Sequence, residues 1–257
     1  MKHIAIITGA SSGMGREFAL TATQHGSYDE IWVIARNENN LEQLRPQIDV
    51  PIRVFPLDLS RDESFKIIAA RLKEEEVNVS LLINASGYGI FDSFENTKMS
   101  DAEGMIDLNC KALVKMSKVA LPYMHAGSHM IQIASMAALQ PVPYVNIYAA
   151  TKAFVLSFAR ALNSELESRY IHCMAVCPYW TKTRFFDRAV NTDKEPVVKK
   201  YIVMYKPEQI VKKAWKDMAK GKDVSIYGVV ANGQAALCKM LPHGTVMRIW
   251  KKQQKLM

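Results

Sequence analysis

The chain has 257 residues, of which 49% are hydrophobic and 23% charged, with a formal charge of +8 at pH 7. This composition fits a globular protein with one large α/β domain or two small ones. No apolar run reaches 18 residues and residues 2–7 already resemble a buried strand, so we expect neither a transmembrane helix nor a signal peptide.

Short apolar runs alternate with longer segments of helical periodicity. Strands are predicted at 3–8, 30–35, 52–56, 79–85, 128–134, 171–177 and 223–227. Helices are predicted near 14–25, 38–45, 61–75, 99–124, 145–169 and 207–220. Continuous apolar strands separated by helices are typical of a parallel sheet covered on both faces. We therefore predict a single doubly wound α/β domain over residues 1–257, with a parallel sheet of seven strands.

Several element boundaries carry local signals. Gly26 follows the first helical run, where a left-handed helix end favours glycine. Ser60-Arg61-Asp62-Glu63 has the spacing of a capping box, and Pro207 is expected at the start of a helix. The segment 179–206 has no clear period, and we interpret it as a lid over the site.

The four cysteines form no C-x-x-C pair and no zinc spacing, so we expect no metal site. Cys173 and Cys177 fall in a predicted strand, where they are expected as buried apolar residues. Reduced thiols favour a cytoplasmic location.

A glycine-rich turn, Thr8-Gly9-Ala10-Ser11-Ser12-Gly13-Met14-Gly15, joins the first predicted strand to the first helix. Gly9 allows a tight turn, Gly13 lets backbone approach a pyrophosphate at the helix N-terminus, and Gly15 permits close helix–strand packing. This context predicts a dinucleotide site.

The second predicted strand ends at Arg36. An NAD site typically places an acidic residue in this region for the ribose 2′-hydroxyl, whereas an arginine suits a 2′-phosphate. We therefore predict NADP(H) as the cofactor. Arg36 as a merely exposed strand-end residue is the alternative, and Arg16 and Arg53 are other basic candidates.

Tyr148 and Lys152 are four residues apart, which places them on one face of a helix. The lysine ammonium is expected to lower the phenol pKa from its ordinary value near ~10. Such a phenol can exchange a proton with an alcohol oxygen near neutral pH.

Together these features resemble the short-chain dehydrogenase/reductase family in its compact single-domain form, over roughly residues 2–183. The matching pieces occur in the family's order: Thr8-Gly9-x-x-x-Gly13-x-Gly15, Asp58-Leu59, Asn84-Ala85-Ser86-Gly87, Asn109, Ser135, Tyr148 and Lys152. The resemblance implies a Rossmann-type fold and an oxidoreductase that interconverts a ketone or aldehyde with an alcohol.

The resemblance also implies roles. Tyr148 is the expected general acid/base, Lys152 binds the nicotinamide ribose and tunes the tyrosine, Ser135 holds the substrate oxygen, and Asn109 anchors a water in a proton relay. The alternative for Ser135 is a strand-end hydroxyl, and the alternative for Asn109 is a helix residue that bonds backbone. Asp58 is expected to bond the adenine amino group, with simple turn chemistry as the alternative, and Asn84 is expected to brace the central strands. The other expected cofactor residues are Ser11, Ser12, Met14, Leu59, Ala85, Ser86, Pro178, Thr181 and Thr183.

Two positions depart from the family's usual pattern. Ala85 stands where a second asparagine is common, and Tyr179 where glycine commonly follows proline. Tyr179 is expected either to narrow the nicotinamide pocket or to form part of the substrate wall.

The substrate is expected in an apolar, aromatic cleft, which favours a hydrophobic ketone or alcohol such as a steroid, a bile acid or an acyl ketone. The residues predicted to contact it, besides Ser135, are Tyr88, Met136, Tyr144, Tyr179, Trp180 and Phe185. Ordinary core or lid packing is the alternative for many of them.

The chain's C-terminal part is basic: residues 199–257 carry 13 Lys and Arg against 3 Asp and Glu. No nucleic-acid motif accompanies this charge, so no nucleic-acid partner is expected. We expect the extension 229–257 to pack, on a neighbouring subunit or over the pocket mouth, and keep peripheral contact with an anionic membrane as the alternative. A homodimer or homotetramer is expected by resemblance, through 99–124 and 145–169. The rival functions are a silent NADP(H)-binding sensor or scaffold and a membrane-associated binder.

Overall fold

Seven parallel strands form one sheet in the part of the chain that the structure, a computed structural model, describes, namely residues 1–190 and 195–256. The strands are β1 (Lys2–Thr8), β2 (Glu30–Ala35), β3 (Ile52–Pro56), β4 (Val77–Asn84), β5 (His129–Ile133), β6 (His172–Val176) and β7 (Val224–Ser225). Their spatial order is β3-β2-β1-β4-β5-β6-β7. Successive strands are therefore placed outward from β1 towards one edge of the sheet and outward from β4 towards the other edge. Doubly wound sheets bind ligands between the two strands at which this order reverses. The predicted fold class is confirmed.

The helices flank this sheet as α1 (Gly13–Thr21), α2 (Glu38–Glu42), α3 (Asp62–Glu74), α4 (Met99–Ile106), α5 (Ala112–Ala120), α6 (Asn146–Leu166), α7 (Phe185–Ala189), α8 (Pro207–Met218), α9 (Val229–Met240) and α10 (His243–Gln254). Pro207 begins α8, as predicted. The predicted helix 99–124 is divided by a π-helical turn at Asp107–Lys111. Within the described residues, no helix has both the length and the apolar character that crossing a bilayer requires.

Two apolar layers hold the helices against the sheet, one on each face. Successive residues of a strand point to opposite faces, so Trp32 and Ile34 of β2 belong to one layer and Ile31 and Val33 to the other. All six residues of β2 are buried, which explains the unbroken apolar run of residues 31–35; the buried Glu30 forms ion pairs with Lys2 and Arg53. Each fully buried large aliphatic side chain contributes about 1.5–3 kcal/mol. Cys173 and Cys177 are buried in this core, as predicted.

Two boundary predictions are wrong. Gly26 does not have a positive φ; instead it leaves room for the Tyr28 phenol, whose oxygen lies 2.4 Å from where a Cβ on Gly26 would be. Ser60 does not cap α3, because its backbone N–H and its hydroxyl both donate to Asp58 Oδ1. The residue that precedes α3 is therefore Arg61, which makes no side-chain cap.

Candidate active site

The glycine turn lies at the carboxyl end of β1, where it meets the loop after β4. Gly9 has φ 67° and a Cβ there would lie 2.7 Å from the Ala85 carbonyl oxygen. A Cβ on Gly15 would lie 2.4 Å from the Gly9 carbonyl oxygen. Thr8 Oγ1 accepts hydrogen bonds from Ala85 N at 3.0 Å and Ser86 N at 3.2 Å, which fixes the two loops together. Only glycine satisfies these close approaches, as the motif predicts.

A cleft of ≈430 Å³ opens above this turn, at the carboxyl ends of the strands. The first turn of α1 faces it, and the N–H groups of a helix N-terminus favour an anion. Its walls contain most of the predicted cofactor residues: Gly9, Ser11, Ser12, Gly13, Met14, Gly15, Arg36, Asp58, Leu59, Ala85, Ser86 and Thr183. Hydroxyls, glycine backbone and an arginine are a donor set that fits the phosphates of a dinucleotide.

Of the three candidate arginines, the structure places Arg36 in the wall of the cleft. Arg53 is committed elsewhere, because it forms ion pairs with Glu30 and Glu75 and stacks over Trp32. Arg16 donates to Gln47 Oε1. Burial raises the pKa of Asp58, but hydrogen bonds from Ser60 and the charge of Arg36 outweigh this effect and hold the pKa below its ordinary value.

The sequence-based prediction missed two further arginines of the cleft, Arg184 and Arg188. The Arg188 guanidinium lies 3.4 Å from the centre of the Tyr88 ring and donates to Asp101 Oδ1 at 3.0 Å. Tyr88 donates through its phenol to the Asp101 carbonyl oxygen. Arg188 and α4 hold the Tyr88 ring in the wall of the cofactor cleft, and a contact of Tyr88 with substrate stays a prediction.

Tyr148 and Lys152 lie one turn apart on α6, and both side chains are buried. Lys152 Nζ donates to the Ile133 carbonyl oxygen at 2.7 Å and lies 5.7 Å from the centre of the Tyr148 ring. Ser135, just beyond β5, accepts from Ala137 N at 3.1 Å and shares a hydrogen bond with the Tyr148 phenol. The three predicted side chains thus come together at the end of β5.

Burial governs the proton affinities of this pair. It raises the pKa of Tyr148 to about 12, although the hydrogen bond with Ser135 opposes the rise, and it lowers the pKa of Lys152 to about 8. The prediction that Lys152 lowers the phenol pKa is therefore wrong here: the loss of water around both groups dominates, and the ammonium is bound to Ile133. The phenol consequently keeps its proton at neutral pH, and the lysine can exchange its own.

Asn109 lies in the π-helical turn between α4 and α5, and π turns are frequent at functional sites. Its Oδ1 accepts from Tyr88 N at 3.0 Å, while its Nδ2 donates to the Tyr88 carbonyl oxygen at 2.8 Å and to Thr151 Oγ1 at 3.0 Å. A Cβ on Gly87 would lie 2.7 Å from Asn109 Oδ1 and 3.5 Å from Lys152 Nζ. Asn109 therefore fixes the loop after β4 beside α6, while its part in a water relay stays a prediction.

Asn84 lies buried below the cleft. Its Nδ2 donates to Ser117 Oγ at 3.1 Å and to Gln132 Oε1 at 3.0 Å, so it ties β4 to β5 and to α5. The expectation that Asn84 braces the central strands is confirmed.

A cavity of ≈140 Å³ adjoins the cleft at Gly87, Thr183 and Phe185. The side chains of Tyr148 and Lys152 line this cavity. Ser135, Met136, Tyr179, Trp180 and Phe185 line it, as predicted for substrate contacts, together with Pro178 and Thr181. Tyr179 therefore belongs to the cavity wall.

Tyr144, which has a φ of 66°, is not among the residues that line this cavity. A cavity of about 150 Å³ holds one benzene molecule. A ligand with several fused rings thus requires the walls to move.

The C-terminal extension covers the mouth of this cavity, which confirms the expectation that it packs. Gln234 of α9 and Trp250 and Gln253 of α10 line the cavity. Trp250 Nε1 donates to the Pro143 carbonyl oxygen at 2.9 Å, and its ring stacks on Trp180 at 6.3 Å. Sequence reasoning missed these three residues, because an amphipathic basic segment does not show which surface its apolar face covers.

Comparisons with known proteins agree with this geometry. A model of the short chain dehydrogenase family matches residues 3–194. The very-long-chain 3-oxoacyl-CoA reductase of Bos taurus is 27% identical, with 91% of this chain and 75% of the relative covered. The NADP-dependent 3-hydroxy acid dehydrogenase of Escherichia coli K12 is 28% identical, with 82% and 87% covered. A solved short-chain dehydrogenase from Sphingobium yanoikuyae in complex with NADPH superposes with a TM-score of 0.78 at 26% identity, covering 95% of this chain and 94% of that one. With its strand order, its glycine turn and its serine, tyrosine and lysine in one cavity, the chain belongs to the short-chain dehydrogenase family of oxidoreductases.

Proposed function

We propose that this protein is an NADP(H)-dependent carbonyl reductase or alcohol dehydrogenase acting on a hydrophobic substrate. The observation that carries the proposal is the meeting of Ser135, Tyr148 and Lys152 in one cavity that adjoins the cleft above the glycine turn. A bound nicotinamide supplies the hydride that reduces the substrate carbonyl carbon.

The protein's part in this reaction is to hold the substrate oxygen and to move a proton. Ser135 and Tyr148 present two hydroxyl donors from neighbouring positions, which stabilise the negative charge that develops on a carbonyl oxygen. Because its pKa is raised to about 12, Tyr148 carries the proton that the reduced oxygen needs. Lys152, with its pKa near 8, is suited to replace that proton after each turnover.

Preference for NADP(H) over NAD(H) is supported by the charges at the cleft. Arg36 at the end of β2 and Arg184 and Arg188 in the segment after β6 face it. Asp58 is the acidic residue in the cleft wall, and Arg36 lies close enough to lower its pKa. A planar guanidinium at the end of β2 fits the 2′-phosphate of NADP(H).

The apolar and aromatic lining supports a hydrophobic substrate. Steroids, bile acids and acyl ketones remain the proposed classes, and the larger of them require residues 179–190 and 195–206 to act as a lid that opens. Residues 191–194 of the predicted lid lie outside the described residues. Assembly as a dimer or tetramer is proposed through α4 to α6, where the exposed apolar side chains of Met99, Ile106 and Phe154 lie.

The test is the Tyr148→Phe variant, assayed for NADPH oxidation over a panel of steroids, bile acids, acyl ketones and small aldehydes. We expect turnover to fall by roughly 10²–10⁴, while NADPH still quenches the protein fluorescence with unchanged affinity. Tyr170→Phe is the matched control, because Tyr170 is 78% exposed. Full activity in Tyr148→Phe would refute the acid/base role, and no oxidation with any substrate in the parent would favour a cofactor-binding sensor.

A further inference from the structure

The cavity wall formed by the C-terminal helices differs chemically from the rest of the cavity. Aromatic and aliphatic side chains surround Ser135 and Tyr148, but three glutamines, Gln140, Gln234 and Gln253, line the cavity together with Trp250. Among the described residues that line the cavity, Lys152 is the one with a cationic side chain, and no carboxylate joins it.

The side-chain amides of the three glutamines have hydrogen-bonding groups that the protein does not use. Gln140 Oε1 accepts a hydrogen bond from Cys238 Sγ at 2.7 Å, which leaves its Nε2 as a donor. Within residues 1–190 and 195–256, the side chains of Gln234 and Gln253 make no hydrogen bond to protein. Polar groups of this kind in an apolar pocket are the ones that orient a ligand.

The supporting structure holds this wall in place. Gln254, next to Gln253, is 2% exposed; its Oε1 accepts from Lys199 N at 3.0 Å and Lys200 N at 2.9 Å, and its Nε2 donates to the Lys200 carbonyl oxygen at 2.8 Å. On the other side, Trp250 is hydrogen-bonded to Pro143. Because α10 is fixed at two points, its backbone does not have to be ordered when a ligand binds to Gln253.

We propose that Gln140, Gln234 and Gln253 form a neutral hydrogen-bonding subsite, which selects an uncharged ketone that carries a hydroxyl or carbonyl oxygen at the end remote from the reacting carbonyl. This inference rests on the proposed reductase function. An amide donates to such an oxygen and accepts from a hydroxyl. A carboxylate beside the glutamines would have no cationic side chain next to it, which is unfavourable away from water, so keto acids are rejected.

The experiment compares three series of methyl ketones of increasing chain length, which end in a hydroxyl, a methyl or a carboxylate group. In the parent protein, kcat/KM for the best keto alcohol is expected to exceed that for its matched alkyl ketone by about tenfold, the effect of one neutral hydrogen bond. The matched keto acid is expected to be the poorest of the three.

Gln253→Leu and Gln234→Leu are expected to remove this preference, because they raise KM for the keto alcohol about tenfold more than KM for the alkyl ketone. Gln24→Leu, at an exposed position after α1, is the control. Equal losses on both ketones would indicate a structural role and overturn the inference, as would a parent that does not discriminate between them. A parent that reduces no ketone in any series would instead overturn the proposed function.

Discussion

Lys152→Met is expected to make the protein more stable while it abolishes turnover. Burial lowers the pKa of Lys152 from 10.5 to about 8, and one pKa unit corresponds to about 1.36 kcal/mol. Keeping the lysine protonated at pH 7 therefore costs the folded state about 3 kcal/mol. Loss of the hydrogen bond to Ile133 offsets about 1 kcal/mol of this gain, so we expect a net stabilisation of about 2 kcal/mol.

The pH dependence separates this explanation from a general packing effect. Between pH 8 and 10.5 the unfolded chain binds more protons at Lys152 than the folded chain does, so the stability of the parent rises across this window. The advantage of Lys152→Met is consequently full at pH 7 and shrinks as the pH rises towards 10.5.

Urea denaturation followed by circular dichroism, at one protein concentration and at several pH values, measures both effects. Lys118→Met is the control, since Lys118 is an exposed lysine on α5. A Lys152→Met variant that is no more stable than the parent at pH 7 would refute the reasoning. An advantage that stays constant up to pH 10 would refute it equally.

Three further predictions concern the cofactor and the C-terminal helices. Arg36→Leu is expected to lower kcat/KM for NADPH at least tenfold, through loss of a charge-assisted contact, and to leave kcat/KM for NADH nearly unchanged. Equal losses of kcat/KM with both cofactors in steady-state assays would contradict a contact with the 2′-phosphate. Trp250→Ala is expected to lower the free energy of unfolding by about 3–5 kcal/mol, because it empties a buried site; a loss below about 1 kcal/mol in urea denaturation would show that α10 packs loosely. In flotation with anionic liposomes, the protein is expected to stay in the dense fraction, because Val246, Trp250 and Gln254 of α10 are already buried; flotation that high salt abolishes would support membrane contact.

Most of the sheet could be predicted from the sequence because central strands such as β2 and β4 are buried on both faces and most of the intervening helices have a helical period. The ends of the helices were harder to predict from local sequence signals. Ser60 has the right spacing for a cap, but Asp58 two residues earlier competes for the same hydroxyl. The spacing around Gly26 could not reveal that Tyr28 folds back over it.

In the site, too, some features could be predicted from the sequence and others could not. Ser135, Tyr148 and Lys152 could be predicted because strand ends and helix turns determine their placement. The proton affinity of Tyr148 could not, since it depends on how completely water is excluded from both partners. The place of Tyr88 in the wall of the cofactor cleft could not be predicted, because it depends on Arg188, which is distant in sequence. The glutamines of the C-terminal wall were likewise hidden, because no local pattern links them to the cavity.

The helices α9 and α10 lie after the last strand, whereas every residue proposed to move a proton precedes residue 153. Two of the three glutamines proposed to select the substrate, Gln234 and Gln253, therefore lie in a stretch of chain that carries none of the residues proposed to move a proton. A single recombination event that exchanges residues 229–254 between relatives would change substrate selectivity. The residues that serve hydride and proton transfer would stay unchanged.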